Sequence, residues 1–266
     1  MPPRVNLDSA SGLPLHPAGR DALLAALEDG WADPSRLYAS ARRARQLLDG
    51  ARASLAAGLG CRPDELVLAP NGTTALYAGI RGLSASRPSR RVVHSAVEHS
   101  AVLQAAAELE PVSVPVDRVG RVSIGAFGEA LEPGAALACL IAASHEVGTV
   151  QPVAAVAERC AARGVPLLVD AAQVVGRAPV PEGWSALVAS AHKWGGPAGV
   201  GVLAVRTGVR FAAGWPEDEH ELGRFPGAVA LPAVLAAAVA LEAARAEQQA
   251  EDARLRPLVD RVRETA

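Results

Sequence analysis

Short apolar runs alternate with alanine-rich stretches of helical period through most of this chain, and that alternation restricts the fold more than any other feature. Residues 65–69, 91–95, 112–116, 136–143, 165–169, 186–190 and 199–206 are expected to be strands. Residues 17–28, 34–59, 73–83, 100–109, 123–131 and 153–163 are expected to be helices. The run at 136–143 is apolar throughout, the pattern of a strand buried on both faces. Strand, helix, strand at this spacing predicts an α/β fold with a mostly parallel central sheet flanked by helices. Only a short turn joins 186–190 to 199–206, so the last strand is expected to be antiparallel. The tail, 229–266, reads as helical with a break near Pro257.

Composition excludes several classes of function. The 26 basic and 28 acidic residues leave a net charge of −2, which gives no footprint for nucleic acid. Half of the residues are hydrophobic, so the chain is not expected to be disordered. Cys61, Cys139 and Cys160 are too scattered for a disulfide framework or a CxxC metal site, and no metal is expected. Residues 1–10 hold no apolar run like that of a secretory leader. The longest apolar stretch, 227–241, contains Pro232 and is too short to span a bilayer. The expectation is a cytoplasmic globular protein with no membrane partner.

In open α/β sheets, ligands sit at the carboxyl ends of the strands. Five polar clusters directly follow expected strands: Asn71-Gly72-Thr73-Thr74, Glu98-His99, Ser144-His145-Glu146, Asp170-Ala171-Ala172-Gln173 and Ser190-Ala191-His192-Lys193. The first opens a helix, whose free N–H groups and dipole favour an anion, with the Thr73 and Thr74 hydroxyls as further donors. An ordinary threonine cap would look the same. The segment is neither a Walker A loop nor a GxGxxG fingerprint. Asp170 ends an apolar run, where a carboxylate needs a cationic or hydrogen-bonding partner. It is either a turn aspartate or the partner of a protonated cofactor ring.

Lys193 is the sole lysine among the 26 basic residues. Arginine cannot lose its proton, so a chain depleted in lysine keeps one most readily where an amine is needed. Lys193 stands between a strand and Gly195-Gly196-Pro197, away from any solvated helix face, and an amine in a partly desolvated pocket forms Schiff bases. Ser190 and His192 flank it and suit an anion. His99 and His145 follow strand-like runs, as core histidines or as site residues. An anion cradle, a Schiff-base lysine and a carboxylate for a ring nitrogen together describe a site for pyridoxal 5′-phosphate (PLP).

With these residues in place, the sequence resembles the class V aminotransferase-fold PLP enzymes, and within them the cysteine desulfurases of the NifS/IscS type. The matching stretches are Leu7-Asp8-Ser9-Ala10, Asn71-Gly72-Thr73-Thr74, Val97-Glu98-His99-Ser100-Ala101-Val102-Leu103, His145-Glu146-Val147-Gly148-Thr149, Asp170-Ala171-Ala172-Gln173 and the ten residues from His192 to Gly201. The resemblance implies the large domain of PLP fold type I. It implies that Lys193 forms the internal aldimine and then moves the proton at the substrate α-carbon. His99 stacks on the ring as an acid–base group, Asp170 binds the pyridinium nitrogen and Gln173 the phenolic oxygen. Thr73, Thr74, Ser190 and His192 hold the phosphate. His145 stands where the family has a cofactor-contacting Asn or His.

The departures bear on sulfur. The family's attacking cysteine and its substrate-carboxylate arginine lie in a small C-terminal domain, expected to be missing here, and Cys61, Cys139 and Cys160 match no such position. Ala228 replaces a threonine that reaches the partner subunit's phosphate, and Ser144 replaces a frequent Asn. The expected organisation is an arm at 1–15, a PLP-binding large domain at 16–228 and helices at 229–266 leading toward the absent domain. The implied activity converts L-cysteine to L-alanine, with sulfur passed to a thiol acceptor, in a homodimer with a possible sulfur-acceptor protein. The alternatives are a class V lyase or aminotransferase for another amino acid, and a decayed scaffold of the same fold.

Overall fold

In the computed structural model the described residues are 6–29, 31–132, 134–216 and 220–265. The helices are α1 (Pro17–Asp29), α2 (Ala39–Leu59), α3 (Gly72–Ala85), α4 (Ser100–Ala107), α5 (Ile124–Ala130), α6 (Val153–Ala162) and α7 (Leu231–Thr265). The strands are β1 (Leu66–Ala69), β2 (Arg91–Ser95), β3 (Glu110–Val114), β4 (Leu137–Ile141), β5 (Leu167–Asp170), β6 (Ala186–Ser190) and β7 (Gly201–Val205). They form one sheet in the order β1-β7-β6-β5-β4-β2-β3. β7 runs antiparallel to both of its neighbours, as its short connection predicts, and the other six strands run one way.

β4, β5, β6 and β7 are buried at every residue, which explains their unbroken apolar sequence. Side chains alternate between two cores. Leu66, Leu68, Leu140, Val169 and Leu187 face α2, α5, α6 and α7, while Val67, Cys139, Leu168, Val188 and Leu203 face α3 and α4. β3 is an exposed edge and carries Pro111 there, where a missing donor costs nothing. β1 is the other edge, and side chains cover it. Glu221 accepts the Leu68 N–H at 2.7 Å, and Arg52 donates to the Leu66 carbonyl at 2.8 Å. Arg52 and Glu221 also pair with each other through two bonds, at 2.6 and 2.9 Å. The strand edge is thereby sealed against another chain.

Most boundaries shift by one or two residues from the sequence reading, and three differences have a clear local cause. The second helix starts at Ala39, not at 34, because the Asp33 carboxylate takes the Ser35 N–H and hydroxyl and closes a separate turn. β3 ends before Pro115, which has no N–H to pair. The break expected at Pro257 is absent, and α7 is one helix from Leu231 to Thr265. All of its last fifteen described residues are exposed, so water takes up the carbonyl that proline leaves unpaired. The first half of α7 packs on α1 and α2 and contributes Leu231, Val234 and Leu241 to the core. No helix among the described residues is long and apolar enough to cross a membrane.

Candidate active site

The parallel strands deliver their following residues to one rim, and a cleft of about 160 Å³ opens there. It is lined by Asn71, Gly72 and Thr73 after β1, His99 after β2, His145 after β4, Asp170, Ala172 and Gln173 at the end of β5, and Ser190, His192 and Lys193 after β6. Leu76, Ile141 and Val188 supply the apolar wall. Eight of the nine residues proposed from sequence therefore share one cleft. Thr74 does not line it: its hydroxyl donates to the Asn71 carbonyl at 3.0 Å, within its own turn.

Local chemistry sets the cradle at α3. The Asn71 side chain caps the helix by accepting the Thr74 N–H at 2.8 Å. A Cβ on Gly72 would lie 2.9 Å from the Ser190 Cβ, and one on Gly201 would lie 2.3 Å from the Asn71 carbonyl. Only glycines let the β1–α3 turn settle against β6 and β7. Ser190 Oγ and His192 Nδ1 are 3.0 Å apart. Burial, reinforced by the neighbouring Lys193 charge, holds the His192 imidazole below its ordinary pKa.

Asp170 is 4% exposed. One of its oxygens accepts the Ala172 N–H at 3.0 Å, and the other has no hydrogen-bond partner among the described residues. Burial pushes its carboxyl pKa up, against the pull of the Ala172 N–H and of His99, His145 and Lys193. A cation placed in the cleft would oppose that rise. The rings of His99 and His145 lie 6.0 Å apart, and His99 Nδ1 accepts the Ala101 N–H to cap α4.

Lys193 Nζ donates to the Ala10 carbonyl at 2.6 Å. Burial, helped by the Arg177 charge, lowers its pKa, while Asp170 and Asp8 oppose this. The amine is thus easier to deprotonate than a surface lysine. The Gln173 amide also donates to the Ala10 carbonyl, at 2.8 Å. Arg177, which the sequence reading passed over, ties the group together. It donates to the Lys193 carbonyl, to Gln173 Oε1 and to the Ser9 carbonyl. Its place four residues after Gln173 was the available signal. Glu98, which stood in a strand-end cluster without a role, is 6% exposed beneath the cleft.

The three cysteines stay out of the cleft. Cys139 and Cys160 are buried. Burial pushes the Cys160 thiol to about 12, the Cys61 thiol to about 11 and the Cys139 thiol up as well, so none is an activated nucleophile. Ser144 is buried and does not line the cleft, and Ala228 lines a separate groove with Glu221 and Leu222.

Residues 5–213 match the family described as aminotransferase class-V. A cysteine desulfurase of Cereibacter sphaeroides is 37% identical over 245 residues, which cover 86% of this chain and 63% of that protein. An IscS-like cysteine desulfurase of Mycobacterium tuberculosis is 34% identical over 276 residues, covering 96% of this chain and 69% of that one. A solved NifS-like protein superposes with a TM-score of 0.94 at 24% identity, over 98% of this chain and 75% of its own. SspA, solved in complex with cysteine, superposes with a TM-score of 0.84 at 25% identity, over 90% of this chain and 72% of its own. The chain thus spans roughly two thirds of these curated relatives, and it belongs to the class-V aminotransferase family, among the cysteine desulfurases.

Proposed function

We propose that this chain binds PLP at the rim cleft and supplies the cofactor half of a cysteine desulfurase, taking L-cysteine and a thiol to L-alanine and a persulfide. One observation carries the reading: the sole lysine and a buried carboxylate with an unpartnered oxygen converge on one cleft at the strand ends. The donor set fits the cofactor. Lys193 offers an amine of lowered pKa for the aldehyde, and Asp170 offers its free oxygen to a protonated ring nitrogen. The α3 amides with Thr73, Ser190 and His192 suit the phosphate, and Thr74 supports that turn from behind.

When bound, PLP supplies an electron sink for charge that develops at an amino-acid α-carbon. The chain's residues do the rest. Lys193 Nζ takes and returns the α-proton. His99 would cover the cofactor ring and serve as an acid–base group, with the His145 ring 6.0 Å away. Gln173, whose amide donates to the Ala10 carbonyl, would offer it to the phenolic oxygen, and Leu76, Ile141 and Val188 give the cleft its apolar wall. Sulfur passes to a thiol outside the three cysteines described. The cysteine complex of the neighbour SspA supports the substrate class. The setting is a cytoplasmic homodimer, with residues 16–228 as the cofactor-binding unit and a sulfur-acceptor protein as partner.

The test is to add PLP, reduce with borohydride and map peptides, then to supply L-cysteine with dithiothreitol and measure products. The reading expects label on Lys193 and alanine matched by sulfide. An unlabelled Lys193 would overturn it. A keto acid in place of alanine would move the chain to another class-V activity, and PLP uptake without turnover would mark a scaffold.

A further inference from the structure

Glu98 lies where two strands of the cleft part company. The β2–β4 ladder runs from Val92–Leu137 to His94–Cys139 and stops there. Two residues further along β4, the Ile141 N–H donates at 2.8 Å to Glu98 Oε1 instead of to a strand. The same oxygen accepts the hydroxyl of Ser95, the last residue of β2, at 2.5 Å. One carboxyl thus joins the ends of both strands. Its next residue in the chain is His99, and Ile141 stands in register with Asp170 on β5. All three of these neighbours line the cleft. The other oxygen, Oε2, is buried and has no hydrogen-bond partner among the described residues, which disfavours a charge there.

We propose that Glu98 is a positioning residue for the cleft: its carboxyl, in place of strand pairing, holds the ends of β2 and β4 where His99, Ile141 and Asp170 can meet a ligand. The charged and titratable groups facing it are Asp170 on β5 and the Cys139 thiol on β4. Burial, opposed by the Ser95 and Ile141 donors and helped by the Asp170 charge, pushes Glu98 up to about 7. The role rests on the PLP reading for its ligand but not for its geometry.

Two measurements test it in the full chain: PLP affinity, from the change in PLP absorbance on titration, and amide hydrogen exchange. Glu98→Ala is expected to weaken PLP binding about tenfold or more and to speed exchange at Ile141 by a similar factor, as loss of a buried acceptor implies. Exchange in α7 stays unchanged. Glu98→Gln, which keeps an acceptor and carries no charge, is expected to stay within about threefold of the parent in both. Ser95→Ala gives the same local pattern at smaller amplitude and serves if Glu98→Ala does not fold. Parental affinity in Glu98→Ala, equal losses in the Gln and Ala variants, or faster exchange throughout the sheet would each overturn the proposal. A parent chain that takes up no PLP would overturn the cofactor reading, and the exchange data would still decide the role of Glu98.

Discussion

Replacing Glu98 by glutamine should change how folding stability depends on pH. The carboxyl is wholly surrounded by protein and titrates at about 7, against an ordinary 4.5. Below 4.5 both the folded and unfolded chains hold the proton, and the group contributes no slope. Between 4.5 and 7 the folded chain keeps the proton while the unfolded chain has lost it. The folded state then binds more protons, so stability falls as pH rises, and above 7 the loss is complete. At about 1.4 kcal/mol per pH step, the window amounts to roughly 3 kcal/mol. Asp170 titrates upward for the same reason, so the parent's slope alone is not diagnostic. The difference between parent and Glu98→Gln is. Urea unfolding followed by far-UV circular dichroism, from pH 5 to pH 8, should show the parent losing about 2–3 kcal/mol relative to the variant, since part of the window lies below pH 5. Parallel curves, within about 0.5 kcal/mol, or a difference of opposite sign would refute the reasoning.

Three further outcomes are expected. Arg52→Met strands the buried Glu221 carboxylate and should cost about 3–5 kcal/mol in urea unfolding, while Arg52→Met with Glu221→Leu should recover only part of it, because the Leu68 N–H and the Leu66 carbonyl lose their partners. Gly201→Ala drives a Cβ into the Asn71 carbonyl and should cost about 3 kcal/mol, with weaker PLP uptake because the α3 turn must move. Asp170→Asn keeps the shape of the cleft but removes its buried anion, and titration should show PLP binding weakened about ten- to hundredfold.

Much of this was legible in the sequence because β4 to β7 are buried on both faces. Their unbroken apolar runs stand out, and the polar residue that ends each run marks the rim. Lys193 was legible because the chain spends arginine everywhere else. Partnerships were not legible. The bond from Gln173 to Ala10, the bonds of Arg177 to Ser9 and Lys193 and the bond from Ile141 to Glu98 join residues that only the folded sheet brings together. Thr74 shows the same limit at short range: an adjacent pair of threonines divides, one lining the cleft and one bonding to its own turn. Proline misled in the other direction. Pro257 lies inside α7 without ending it, at a stretch exposed on every side, where the carbonyl it leaves unpaired faces solvent.

The lysine and glutamine that close on the Ala10 carbonyl come 183 and 163 positions after it. β1 likewise waits for β7, pairing Leu66 with Ala204. Contacts of such separation carry the largest loop-closure entropy and tend to be made late in folding. The contacts at the Ala10 carbonyl are therefore expected to be among the last to form. Any ligand that depends on them would be expected to stabilise the finished rim without guiding the earlier steps.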